Sequence, residues 1–291
     1  MFSDLPPIAF ALAASLLFAL GSQFQNIGLE RIEPRRGAEI SIFATVVFYW
    51  LLAPVMLEAA HWSQSAVWIF VVVGLFRPSV SANLAVAAIR YLGPTLSSSM
   101  ASVSPLFAAA FGVFLLGEDL TWPTVLGTAG IIAAVVMMAR RDAKITMGWP
   151  LWALFLPIGA ALVRSIGHVL TKIGMADIPD PYFAGLVAFS VSSLVVIAAR
   201  RLRPSARRVP WHSRAPYWFV AGGVLMGIAV LCLNTALLAA PLIAVVPIVA
   251  ASPIFTMLLS VLIFRREKLS LRIVLAVFMV VASVIFIALN R

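Results

Sequence analysis

Charge is scarce in this sequence. Only 11% of its 291 residues are Asp, Glu, Lys or Arg, against about 25% in soluble globular chains. Apolar residues make up 63%, and the mean hydropathy is +1.06. A water-soluble core has no use for that much apolar surface, so the solvent it implies is lipid. Cysteine is almost absent. Cys232 stands alone, which excludes a disulfide framework and a cysteine-based metal site. The three histidines, His61, His168 and His212, lie far apart in sequence, so no metal or cofactor is expected. The eleven acids fall at the ends of apolar runs or in the connections between them. That leaves no mid-membrane carboxylate for a proton relay. With no His/Asp/Glu cluster and no loop long enough to form a soluble domain, an enzyme is not expected. The N-terminus, MFSDLPP, has an acid and no base. A secretory signal would begin on a basic segment, so the first apolar run is expected to be a retained span.

What is present is a series of apolar runs. A span needs about 20 such residues, and ten fit: 8–28, 38–57, 66–89, 95–116, 121–138, 149–171, 181–199, 217–238, 242–264 and 270–289. The expected fold is an all-α integral membrane protein of ten transmembrane helices. An even number of spans leaves both termini on one side. The net charge of +10 would suit nucleic acid, but the bases sit in short connections between apolar runs, so no nucleic-acid partner is expected. Of the 21 Lys and Arg, 17 fall in, or at the edge of, connections 1–2, 3–4, 5–6, 7–8 and 9–10. The opposite face holds Lys172 and Arg291, and Arg77 and Arg164 lie inside spans. By the positive-inside rule this bias places both termini outside a cell (inner or plasma) membrane.

One phrase is written twice. Residues 104–121 read SPLFAAAFGVFLLGEDLT and residues 252–270 read SPIFTMLLSVLIFRREKLS. Both open Ser-Pro, run apolar and close on Glu-x-Leu and a hydroxyl residue. The first closes on acid (Glu118, Asp119) and the second on base (Arg265, Arg266, Lys268). The offset of 148 makes spans 1–5 and 6–10 two units, residues 1–144 and 145–291. Five is odd, so the second unit enters the membrane from the opposite side. The expected architecture is two inverted five-helix repeats, a plan of secondary transporters. On this reading Glu118 and Asp119 lie outside, where acid is tolerated.

The stretch AAIRYLGP…SPLFAAAFGVFLLGEDLTWPTVLGTAGIIAAVV resembles the signature region of the EamA-type transporters of the drug/metabolite transporter superfamily. TALLAAPL…SPIFTMLLSVLIFRREKLSL is a weaker second copy. The resemblance covers essentially the whole chain and is specific for fold rather than substrate. It implies ten helices, a central cavity between the halves and alternating access. Many members of that family place their termini in the cytoplasm, and this chain's charge bias departs from that.

Paired prolines in corresponding spans point to the substrate site. Pro105 and Pro253 are the expected helix breaks, freeing the carbonyls of Ala101 and Val249, and Pro247 is expected to add a second break. Ser102 and Ser104 are candidate cavity-lining hydroxyls, although small residues also serve close helix packing. Arg77 and Arg164 sit at membrane depth, where a charge costs about 3 kcal/mol, and neither has an evident carboxylate partner. Arg suits carboxylate or phosphate because its planar fork forms paired hydrogen bonds. Structural alternatives exist: Arg77 precedes Pro78 and could cap the carbonyls freed there, and Arg164 could do the same for a neighbour. Arg164, His168 and Lys172 recur at i, i+4 and i+8 and share a face; Lys172 is expected to snorkel to water. Gln23, Asn83, Asn234 and His168 complete the candidate substrate-binding set. Gln23 and Gln25 cannot face the same way. Gly223 and Gly227 form a GxxxG, expected to serve packing within the monomer.

These readings converge on a secondary transporter of a small polar or amphipathic metabolite, anionic or zwitterionic, working by alternating access, with export the expected direction. The partners are the small-molecule substrate and the lipid bilayer. A monomer is expected, with a dimer as the alternative. Two other readings compete: a multidrug-type exporter of lipophilic compounds, which calls for a buried carboxylate, and a lipid-linked-sugar flippase.

Overall fold

The computed structural model describes residues 6–77, 80–81, 84, 87–88, 91–92, 100–101, 103–139, 150–202, 213–263 and 271–289. Their regular structure is entirely helical. The main helices are α1 (Pro7–Gly28), α2 (Pro34–Met56), α3 (Val67–Phe76), α4 (Ser104–Leu116), α5 (Trp122–Ala139), α6 (Phe155–Asp177), α7 (Pro181–Leu202), α8 (Ala215–Ala239), α9 (Leu242–Ala250), α10 (Ser252–Leu262) and α11 (Leu271–Leu289). Six helical stretches are long and apolar enough to cross a membrane, Leu242–Leu262 counting as one, and four shorter apolar helices accompany them. The protein is thus a multi-pass membrane protein. In lipid every backbone group must be satisfied within the protein, and helices do this segment by segment.

Proline marks the helix starts. Pro7, Pro34, Pro105, Pro216 and Pro253 lie in first turns, where a missing N–H costs nothing and the fixed φ suits a helix. The twice-written Ser-Pro therefore opens a helix in both places. The ninth span breaks at Ala251, between α9 and α10. The carbonyl of Val249, four residues before Pro253, accepts the Ser15 hydroxyl at 3.5 Å.

Three boundaries differ from expectation. Span 3 does not run as one helix through Arg77: α3 stops at Phe76, and Arg77 is extended (φ −116°, ψ 125°). The residue before a proline avoids the α region, and Pro78 follows. Span 6 lies six residues later than expected, as α6 from Phe155 to Asp177. Pro157 sits in its first turns, and Lys172, near its far end, finds partners described below. Pro247 makes no second break, because α9 continues through it. Residues 242–248 are all buried, so packing on every side holds the turn that lacks one hydrogen bond.

The helices pair across the two halves of the chain. α1 packs on α8, α9 and α10; α2 on α7 and α8; α3 on α6 and α7; α4 on α6 and α9; α5 on α11. Small residues allow the closest approaches. A Cβ on Gly223 would lie 2.9 Å from the Ser41 Cα, and one on Gly227 3.1 Å from the Thr45 Cγ2. The GxxxG of α8 therefore seats α2 within the monomer. Thr45 donates to the Gly223 carbonyl at 2.7 Å and Tyr49 to that of Gly227 at 3.1 Å, so the same pair is also joined by hydrogen bonds.

Candidate functional site

Depth follows from helix rise. Ten residues of α3, at 1.5 Å each, carry the chain about 15 Å from its start to Arg77, half of a hydrocarbon core about 30 Å thick. Arg164 is central in the helical stretch 152–177. Ser104 opens α4 about 18 Å from that helix's far end, and the break at Ala251 is at similar depth. Two broken spans and two arginines thus share the middle of the protein.

The break below α3 leaves carbonyls to satisfy. Pro78 cannot donate to Gly74, four residues back. Ser192 of α7 does so instead, its hydroxyl lying 2.7 Å from the Gly74 carbonyl and 2.9 Å from that of Arg77. The Arg77 guanidinium is therefore not needed as a cap. Its stem runs along Gly167 of α6, which brings it within electrostatic reach of Arg164 and His168. Tyr49, held by α7 and α8, is also within electrostatic reach of Arg77.

Arg164 occupies an unusual position on α6. Its neighbours on that face, Ala160, Ala161, Ser165 and His168, are buried, yet Arg164 itself is exposed. We read its accessible surface, amid those buried neighbours, as an opening between the helices. Beside Arg164 the two halves are tied together. The Ser165 hydroxyl donates to the Ser104 carbonyl at 3.1 Å, and the two hydroxyls lie 3.3 Å apart. Among the described residues no hydrogen bond or ion pair reaches either guanidinium, and His168 Nδ1 is buried without a partner.

Of the expected site residues, Arg77, Arg164, His168 and Ser104 are brought together. Ser102 and Asn83 lie outside the described residues. Gln23 is elsewhere: its amide donates to the Thr256 carbonyl at 2.7 Å and pins α1 to α10. Gln25 faces another way, 3.3 Å from the Ser41 hydroxyl. Asn234 donates to the Pro181 carbonyl at 3.1 Å, toward the opposite end of the molecule, with Oδ1 buried and unpaired. Pro105 is buried against the cluster in the first turn of α4, whereas Pro253 is exposed. Sequence reasoning missed Ser165, Tyr49, Gly167 and Ser192. The first and third adjoin singled-out residues of α6; the other two come from the second and seventh spans, which carried no candidate site residue. Among the described residues no group of His, Cys, Asp or Glu could hold a metal.

A second cluster corrects two expectations. Gly117, at φ +64°, ends α4, and the Glu118 N–H returns to the Gly112 carbonyl at 2.9 Å. This is the glycine-terminated helix end in which a left-handed residue lets the chain satisfy its last carbonyls. The Glu118 side chain is not left to solvent. Its carboxylate is nearly buried and accepts from the N–H groups of Leu242 and Ile243 at 2.6 and 3.0 Å, capping α9. Lys172 does not snorkel. Its ammonium lies 3.1 Å from Glu118 and donates to the Ala240 carbonyl. Asp180 caps α7 in the same manner, accepting from Tyr182 and Phe183 at 2.9 and 3.0 Å, and faces His61 at 3.3 Å.

Comparisons with known proteins agree on the architecture. The family model described as the EamA-like transporter family matches residues 5–140 and again 151–289. No curated protein matches the sequence. A solved structure titled "Crystal structure of protein" is similar in fold, with a TM-score of 0.82 at 18% identity, over 97% of this chain and 96% of that one.

Proposed function

The chain belongs to the EamA-like transporter family, and on that premise we propose that it is a secondary transporter of a small polar or amphipathic metabolite bearing a carboxylate or phosphate. The observation that carries this reading is the pair Arg77 and Arg164: two cations at mid-depth, close enough to repel each other, with no hydrogen-bond or ion-pair partner among the described residues. Like charges in a low-dielectric interior repel strongly, so the ligand that suits the site brings the negative charge. A lipophilic cation would meet the wrong sign, which ranks the multidrug reading lower.

The movement is a rocking of two inverted five-span repeats, residues 1–144 and 145–291, about this site. The helix pairing supports it. With α9 and α10 counted as the ninth span and α11 as the tenth, exchanging spans 1–5 with 6–10 converts the pair 1–8 into 3–6, 2–8 into 3–7 and 4–6 into 1–9. The pairs 2–7, 4–9 and 5–10 convert into themselves. Export is the working direction, across a cell membrane with both termini outside, the orientation favoured by the Lys/Arg bias.

Comparing internal and external metabolites with and without overexpression tests the substrate class. An anionic metabolite is expected to change its distribution, and the sign of the change gives the direction. A change confined to lipophilic cations would favour the multidrug reading instead. A reporter active only outside the cytoplasm, fused after Arg291, is expected to be active. A fusion active only in the cytoplasm reverses the orientation.

A further inference from the structure

Arg77 reaches the centre of the protein only because two residues on other helices let it. Gly167 is the first. A Cβ there would lie 2.7 Å from the Arg77 Cδ and 3.7 Å from its Cβ and Cγ, so the aliphatic stem lies along the bare backbone of α6. The three nearest atoms to that position all belong to the Arg77 side chain. Ser192 is the second. Its single hydroxyl spans the Gly74 and Arg77 carbonyls, fixing the break at which α3 gives way to extended backbone. Gly74 itself is pressed against α7, where a Cβ would lie 2.6 Å from the Ala188 carbonyl. The start of the Arg77 side chain is thus fixed by α7 and its course by α6.

We propose that Gly167 and Ser192 are positioning residues that aim the Arg77 guanidinium toward Arg164. The role of that pair as an anion site rests on the function proposed above; the positioning itself does not. The atom a methyl at position 167 would meet is the far end of a flexible stem, not backbone. Gly167→Ala therefore displaces Arg77 rather than unfolding α6. Gly159 supplies the control on the same helix, because a Cβ there meets only the Leu84 Cδ1 at an ordinary 3.6 Å.

The test is the rate at which phenylglyoxal modifies Arg77 in the purified protein reconstituted in liposomes, read by peptide mass spectrometry. Gly167→Ala is expected to change that rate at least about threefold, in the range of coupling between contacting residues. Gly159→Ala should leave it unchanged, with both variants melting at the wild-type temperature. Ser192→Ala is the second variant and should also change the rate. Unchanged Arg77 reactivity in both Gly167→Ala and Ser192→Ala overturns the proposal. Transport of the metabolite found by the overexpression comparison separates the two ideas. In an Arg77→Ala background Gly167→Ala should cost nothing further, and an additional loss there means that Gly167 acts otherwise than through Arg77. Altered Arg77 reactivity together with unchanged transport in Arg77→Ala would leave the positioning standing and remove the anion site.

Discussion

Replacing either central arginine by alanine is expected to cost transport and to spare, or even raise, stability. Hydrogen bonds to a charged group contribute about 1.5–3 kcal/mol, so Arg77→Ala and Arg164→Ala should each lower uptake of an anionic substrate by about 10- to 150-fold. Lysine keeps the charge but loses the planar fork, so Arg→Lys should fall between alanine and wild type. The stability sign is what separates function from structure. A side chain that holds the fold together destabilises when removed. Here no described group bonds to either guanidinium, and a charge at membrane depth costs about 3 kcal/mol. Removing one also relieves its repulsion of the other. Thermal unfolding in detergent should therefore show unchanged or higher midpoints for both variants. A clear drop in midpoint with parallel loss of transport would mark the arginines as structural.

Glu118→Ala is expected to have the opposite profile, a large loss of stability. The carboxylate does three things at once: it caps two N–H groups of α9, it pairs with Lys172, and it holds the turn after α4 against the second half. Its removal leaves Lys172 and two N–H groups without their anion, and breaking a buried pair costs about 3–5 kcal/mol. Lys172→Met should cost less, because Glu118 keeps its bonds to Leu242 and Ile243. In Glu118→Ala/Lys172→Met no lone charge remains, so the double variant should be more stable than the sum of the single losses implies. Unfolding midpoints of the four proteins check this. Simple additivity would contradict the coupling.

Most of the apolar helices, and the Ser-Pro starts of α4 and α10, were legible in the sequence because apolar length and proline chemistry are local properties. The membership of the arginine cluster was half legible. Charge inside an apolar run marked Arg77 and Arg164, and helical spacing added His168. Gly167 and Ser192 carry no such mark, since their role exists only where α3, α6 and α7 meet. Glu118 was misjudged for the same reason. In sequence it sits in a turn, where acids are ordinarily solvated, and nothing local shows that the start of α9 lies within reach. Lys172 followed from that error: its partner is 54 residues earlier, and with the partner unseen, water was the only destination available. The i, i+2 argument that Gln23 and Gln25 diverge did hold, because helix geometry alone decides it.

The central claim is that the paired arginines receive an anion carried by the substrate. Counterflow in proteoliposomes tests it most directly, using the anionic metabolite identified by the overexpression comparison and proteins of matched stability. Wild-type protein should exchange it, Arg77→Ala and Arg164→Ala should each lose at least about tenfold, and an uncharged analogue should gain nothing from the arginines. Equal counterflow of the anion by wild type and both variants would contradict the account.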